Sequence, residues 1–402
     1  MTGTRARKVL FVIHQIGSGA DGGIRSIAEI VRATPAIDRL VVTNRESSVT
    51  EMLRAAAPVE MWEMTERAYR DGSPSPLYRL RQALSRLRNN WRTFRAVKRH
   101  GITIVHANEQ RAFWNSVYGA RLAGVPVIYN VRDTSNQQHA GPRWHRALRL
   151  CDRFLVLSRE MEEAWRADLH PTSEEPGQRD KFAHLYSIVD PERYFPVPEP
   201  ERQAIRASLG IDPDRPAVVY VGRFDDKKAQ LDFIAQALPA LRDRAPRAIT
   251  YFVGDFEPGS DPYAAACLAE VEKHGLQDSV RFAGYSDRVA DWYRAADIVA
   301  LASRREGLPR CMIETLACGS GFVSFAVCSV REIVEGHDCG VAVPLGDYAA
   351  LADAIAALLA DEARLARYRA AGPLLTARLF APDTNATAYG DLLDRLAAEA
   401  AR

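Results

Sequence analysis

Ala217–Lys228 reads AVVYVGRFDDKK. Branched and aromatic residues in a run too short for a helix, closed by a glycine and then by charges, make a buried strand that turns off into a loop. The glycine lets the backbone turn tightly. Two cations five residues apart, Arg223 and Lys228, then either converge on one dianionic group such as a diphosphate or stay as solvated surface charges.

The same alternation of short apolar runs and longer helical patterns recurs along the chain and marks an α/β protein with mostly parallel sheets. Expected strands are Lys8–His14, Leu40–Thr43, Ile102–His106, Val125–Val131 and Phe154–Ser158, then Ala217–Val221, Ile249–Val253, Val280–Ala283, Ile298–Ala302 and Gly321–Phe325. Two sets of five, in a chain of 402 residues, give two Rossmann-like doubly wound domains. Between them Asp190–Arg202 reads DPERYFPVPEPER, a proline-punctuated stretch that reads as neither helix nor central strand. The expected domains are 1–192 and 193–378, with 379–402 a helical segment packing back on the N-terminal domain. Doubly wound sheets in series place their strand ends on facing walls of a cleft, so function is sought in the loops that follow strands.

With 47% hydrophobic and 26% charged residues the chain is globular rather than disordered. Six cysteines without a CxxC pair read as buried reduced thiols ahead of a metal or disulfide framework. The apolar run Val9–Ile13 is cut off by His14 and Gln15, too early for a signal peptide, and no segment reaches the roughly 20 apolar residues of a membrane span. A cytoplasmic protein, free or peripheral on the inner face of a membrane, is expected. Charge is divided: residues 1–190 hold 29 Lys and Arg against 20 Asp and Glu, and residues 191–402 hold 24 against 31.

Beyond Ile298–Ala302 comes Glu306-Gly307-Leu308-Pro309-Arg310-Cys311-Met312-Ile313-Glu314. Proline favours the first turn, so a helix starts near Pro309 and stops at Gly319. Eight continuous helical residues would leave the two glutamates roughly 80° apart, so a shared ligand requires Glu306 in the loop and Glu314 in the helix. Backbone donors of Arg310, Cys311 and Met312 then face an anion, and Glu306 accepts from hydroxyls; the plain alternative is an acidic helix entry. After Val280–Ala283, Gly284-Tyr285 offers a backbone and a ring to a nucleobase. In the first half, Gly22 and Gly23 in the loop IGSGADGG allow close approach of a ligand to the backbone, ahead of Arg25, without a strict phosphate-loop pattern. His106 and Asn108, and Asn130-Val131-Arg132-Asp133, gather polar groups at strand ends as candidate acceptor contacts or as satisfied structural groups.

Taken in order, GRFDDKKAQLDFIAQAL, VRFAGYSDRVADWYRAADIVALAS and EGLPRCMIETLACGSGFVSF resemble the retaining GT-B glycosyltransferases called glycosyl transferase group 1, or family 4. The likeness is strongest over residues 217–345. It implies that Arg223 and Lys228 hold the diphosphate of a nucleotide sugar, that Glu306 orients the sugar hydroxyls and that Glu314 bonds the ribose, with Gly22, Gly23, Gly222, Tyr285, Gly307, Leu308, Arg310 and Cys311 also on the donor side. It implies retention of anomeric configuration and no metal, since fixed cations and helix N–H groups carry the leaving-group charge. Arg25, His106, Asn108 and Arg132 would meet a glycan or lipid-linked acceptor. The sequence departs from the family at Ala229, where glycine is usual after the lysine, at Ser187 in place of an asparagine, and at Arg132 in place of a histidine. An arginine cannot act as a base but binds an anionic acceptor. A sugar-nucleotide epimerase, a phosphorylase or an inactive binding module on the same fold are the rival readings.

Residues 76–100 contain eight basic residues and no acidic one, with Leu80, Leu84, Leu87, Trp91 and Phe94 on one helical face. Such a helix either docks on an anionic membrane or packs on its own domain with its arginines solvated. Nucleic acid is a poorer fit, for want of an accompanying motif.

Overall fold

The computed structural model describes residues 7–15, 22–65, 75–132, 142–169 and 181–400. One compact unit takes the chain up to Ile188 together with residues from Pro382 on, and the other is Val189–Ala381. The first holds a seven-stranded sheet of β1 (Lys8–Ile13), β2 (Asp38–Thr43), β3 (Val59–Met61), β4 (Ile104–Asn108), β5 (Val127–Asn130), β6 (Arg153–Val156) and β7 (Phe182–His184), in the order β3-β2-β1-β4-β5-β6-β7. The second holds a six-stranded sheet of β8 (Ala217–Val221), β9 (Ile249–Val253), β10 (Val280–Gly284), β11 (Ile298–Leu301), β12 (Gly321–Phe325) and β13 (Val341–Val343), in the order β10-β9-β8-β11-β12-β13. Neighbouring strands are parallel.

Both sheets are Rossmann-like and doubly wound. Their order reverses between β1 and β4 and between β8 and β11, and at such a reversal the outgoing loops part to opposite faces and leave a crevice at the carboxyl edge. The central strands are near-continuous apolar runs because helices cover both faces: β1 is buried from Val9 to Ile13, and β9 throughout. Three strands have no clear sequence signal. β3, β7 and β13 are three residues each, lie at sheet edges and are only partly buried, too short to display an alternation.

The proline-rich stretch between the units is partly helical. Pro198 precedes the helix Glu199–Ser208 and Pro200 lies in its first turn, where the missing N–H has no partner to lose. In the second unit Asp297, at the start of β11, gathers Arg202 at 2.7 Å, Arg206 at 3.2 Å, Arg369 at 2.8 Å and the Ala217 N–H at 2.8 Å. Burial alone would raise its pKa, but those positive partners outweigh burial and hold it below the usual carboxylate value.

The helix Pro382–Ala400 belongs to the first unit: Tyr389, Leu392, Leu393 and Leu396 join Val9, Phe11, Ile27 and Val31 in one core. At its centre His106 Nδ1 lies 2.7 Å from the Tyr389 hydroxyl, and its ring centroid is 5.1 Å from that of Phe11. This corrects the reading of His106 as an acceptor contact. The strand runs on to Asn108, so His106 lies within it and its side chain is spent on holding the last helix. Complete burial, with Arg132 nearby, lowers its pKa to about 3. His14 at the end of β1 is likewise lowered to about 3, by burial, Arg111 and Arg45.

Both folded values lie below the ordinary 6.5, so the stability these neutral rings contribute is complete above pH 6.5 and is lost as the pH falls toward 3. Each histidine steepens the pH dependence by up to about 1.4 kcal/mol per pH unit. Denaturant titrations between about pH 6.5 and 4 are expected to show this slope, and His106→Phe to lessen it by one proton while lowering the plateau.

Candidate functional site

At the reversal of the second sheet the loop leaving β8 is fixed from several directions. Gly222 N–H donates to Val253 O at 3.0 Å, and a Cβ on Gly254 would stand 2.1 Å from Gly222 O, so the loops after β8 and β9 meet backbone to backbone. Lys228 N–H donates to Asp225 Oδ1 at 2.9 Å. Ala229 then has a φ of 54° and is fully buried, a left-handed conformation that accounts for the glycine usual at this place. The buried Tyr220 hydroxyl donates to Lys228 O and accepts from Ala302 N–H at 3.0 Å. With Arg304 N–H on Lys227 O at 2.9 Å, it stitches the loop after β8 to the loop after β11.

That stitching brings Lys228 Nζ to 2.7 Å from Glu306 Oε1, with Lys227 Nζ 3.8 Å from Oε2. Burial alone would depress the ammonium of Lys228, but Glu306 outweighs it and the pKa is raised. Burial would likewise raise Glu306, and the two lysines more than reverse this. Lys228 and Glu306 are therefore both ionised at neutral pH.

Arg223 takes the opposite direction. Its side chain is 65% exposed and its guanidinium lies 3.7 Å from Asp225, so the turn sends one cation of the pair inward and the other outward. Gln230 Nε2 holds Arg223 O at 2.6 Å.

Pro309 precedes the helix Arg310–Ala317, as its position in the sequence implies. Glu306 is in the loop and Glu314 in the helix, where the buried Glu314 accepts from Arg310 Nε at 3.0 Å and lies 2.9 Å from its Nη2. The Met312 N–H donates to Pro309 O at 3.1 Å, which removes it from the donors expected to face an anion. Leu308 and Cys311 are buried, and burial pushes the Cys311 thiol up to about 12. Gly307 O accepts from the Ser329 hydroxyl at 2.7 Å, and Ser329 itself is buried with a φ of 70°. Tyr285, beyond β10, is 74% exposed.

At the reversal of the first sheet, buried Asn108 Oδ1 accepts from Asn130 Nδ2 and from Arg132 Nε, each at 3.2 Å, so Asn108 orients Arg132. Glu109, with a φ of 72°, accepts from the N–H groups of Arg111 and Ala112 at 2.8 and 3.2 Å. His14 Nδ1 is 3.8 Å from the same carboxylate. Gly22 and Gly23 begin the helix Gly22–Ala33, on which Arg25 is half-buried. Residues 16–21 of the glycine loop and Asp133 lie outside the described residues. Among the described residues all six cysteines are free and buried, no cluster of His, Cys, Asp and Glu suits a metal ion, and no helix is long and apolar enough to cross a membrane.

Two doubly wound units, each with polar groups gathered where its strand order reverses, are the build of a GT-B protein, and the comparisons with known proteins agree. The HepE protein of Anabaena, solved in complex with UDP, superposes with a TM-score of 0.79 over 97% of this chain and 100% of that one at 19% identity, a likeness of fold. Residues 215–361 match the glycosyl transferases group 1 and residues 40–193 match Glycosyltransferase Family 4; the chain belongs to this family of GT-B glycosyltransferases. A D-inositol 3-phosphate glycosyltransferase of Xylanimonas cellulosilytica is 35% identical over 201 residues, 49% of this chain and 47% of the relative. The lipopolysaccharide core biosynthesis mannosyltransferase LpsB of Rhizobium meliloti is 30% identical over 210 residues, 52% and 59% of the two chains. The chain thus spans about half the length of the curated relatives it matches.

Tyr220, Gly254 and Ser329 are parts of the site that the sequence reading omits. Gly254 follows β9 as Gly222 follows β8, a signal that was available. Tyr220 reads as one more apolar strand residue and Ser329 as a loop serine, and only the fold gives them their partners.

Replacing one member of a buried ion pair strands the other. Lys228→Met is expected to lower stability at pH 7 by about 3 kcal/mol and to raise the Glu306 pKa. The loss should shrink as the pH drops and Glu306 takes up a proton, and Lys228→Met with Glu306→Gln should recover part of it; calorimetry across pH reads both.

Proposed function

We propose that the chain is a retaining, metal-independent glycosyltransferase that moves a sugar from a nucleotide-diphosphate sugar to a glycan or lipid-linked acceptor, in the making of a cell-surface polysaccharide or glycolipid. The observation that carries this reading is the Lys228–Glu306 pair, 2.7 Å apart and largely shielded from solvent, at the strand-order reversal of the second unit. A diphosphate arriving there offers Lys228 a stronger partner than one carboxylate, and Glu306, released, accepts from the sugar hydroxyls. As the bond from the anomeric carbon to the phosphate oxygen breaks, the fixed ammonium stabilises the charge left on the phosphate. The acceptor hydroxyl bonds to the same face of that carbon and its proton passes to the departing phosphate, so the configuration is kept.

Arg223 exchanges Asp225 for the diphosphate in this reading, Cys311 N–H and the Gly307–Leu308 backbone line the phosphates, Glu314 bonds the ribose and Tyr285 meets the base. Arg132, oriented by Asn108, makes the first unit suited to an anionic acceptor. Relatives named for D-inositol 3-phosphate and for lipopolysaccharide core agree in kind with an anionic acceptor, and UDP in the Anabaena protein makes UDP-sugars the first donors to try.

Thermal shift with UDP, GDP and ADP is expected to single out one nucleotide, with a stabilisation of about 2.7 kcal/mol at a hundredfold excess over Kd. With the matching sugar nucleotide, Lys228→Ala should keep its fold and lose about 10²–10³ in kcat, and NMR of the product should show the donor's anomeric configuration. Undiminished turnover in folded Lys228→Ala, or an inverted product, refutes the proposal.

A further inference from the structure

The helix Pro76–His100 packs on its unit by its polar side. Ser85, Asn89, Asn90, Thr93, Ala96 and Val97 are its buried residues. Asn89 Nδ2 donates to Glu63 O at 3.0 Å and to Asn115 Oδ1 at 2.9 Å; Asn90 Nδ2 donates to Trp114 O at 2.9 Å, and Asn90 Oδ1 accepts from Gly119 N–H at 2.9 Å. The approach is close, since a Cβ on Gly119 would lie 2.0 Å from Asn90 O. Hydrogen bonds and mostly small residues anchor the helix, and Leu77, Leu80, Leu84, Leu87 and Trp91 take no part.

Those residues face outward. Leu77, Leu80, Leu84, Leu87 and Trp91 are 60, 56, 56, 70 and 55% exposed. At 100° per residue they fall in an arc of roughly 80°, centred about 170° from the buried set. Along one flank run Arg81, Arg88 and Arg95 at seven-residue steps, with Arg99 following, all exposed. Among the described residues Arg88 of this row pairs with Glu63 at 2.8 Å, and the helix itself contains no acidic residue.

Leucines and a tryptophan in one exposed stripe mark an interaction surface, and the arginine row beside them selects its occupant. A second copy docking by the same face would bring another row of arginines and no carboxylate from this helix to meet it. Anionic lipid supplies what the face lacks: phosphate groups for the arginines and an acyl boundary for the leucines. We infer that Leu77–Arg99 lies flat in the headgroup layer of an anionic bilayer, Leu80, Leu84, Leu87 and Trp91 entering the acyl boundary and Arg81, Arg88, Arg95 and Arg99 binding lipid phosphates. The surface is separate from the Lys228–Glu306 site, so its failure leaves the enzymatic reading standing.

The full chain is to be sedimented with vesicles of phosphatidylcholine, alone or with phosphatidylglycerol as a minority lipid. Binding is expected on the anionic vesicles only, weakening as salt is raised. Leu84→Ser with Leu87→Ser should cut it at least about tenfold and Arg81→Gln with Arg88→Gln and Arg95→Gln about a hundredfold, with the unfolding temperature held because these side chains already face solvent. No binding to anionic vesicles, or equal binding to neutral ones, overturns the inference. So does a large fall in the unfolding temperature of the leucine variant, or a dimer that this variant dissolves in the absence of vesicle binding, which would assign the stripe to a second copy.

Discussion

An ammonium group drawn most of the way out of water needs a counter-charge in place of the hydration it loses, and Glu306 is that counter-charge for Lys228. Around the pair the chain has little freedom left. The Tyr220 hydroxyl joins the loops that carry the two residues, Gly254 passes the Gly222 carbonyl too closely to bear a side chain, and Ser329 holds the carbonyl next to Glu306. A buried ion pair often adds little net stability against an apolar pair of the same volume. Its value here is positional, because a ligand with more negative charge than a carboxylate finds the cation already partly dehydrated and aimed.

Strain collects at the carboxyl edge of each sheet. Of the four described non-glycine residues with a left-handed backbone, Glu109 follows β4, Ala229 ends the loop after β8 and Ser329 lies just past β12. Each costs of order 1–2 kcal/mol, and each lies beyond the carboxyl end of a strand, where a doubly wound sheet presents its loops to a ligand. The opposite edge of the second sheet is held by ordinary means, with Asp297 tying Arg202, Arg206 and Arg369.

The sequence carries the central strands plainly, because a strand covered on both faces reads as a near-continuous apolar run, as Val9–Ile13 and β9 do. Glu306 in a loop and Glu314 in a helix follow from the proline between them. Direction is what spacing does not encode. Arg223 and Lys228 occupy symmetric positions in the motif, and only the Asp225 turn and the left-handed Ala229 turn one out and one in. The leucine stripe of Pro76–His100 is legible as a face, but which face meets the protein is decided by hydrogen bonds to Glu63, Trp114, Asn115 and Gly119 that lie far along the chain. His106 looks like a strand end until the strand is seen to continue to Asn108.

The bond between His106 and Tyr389 joins two parts of one core that are separated in the chain by the whole second unit. On the ribosome, the first unit would emerge without Tyr389, Leu392, Leu393 and Leu396, its sheet bare where they belong, for roughly 10–40 s at ordinary elongation rates. Completion of that unit waits on the last helix, so the half of the protein made first is finished last, and nascent-chain chaperones would meet an uncovered apolar surface for the whole interval.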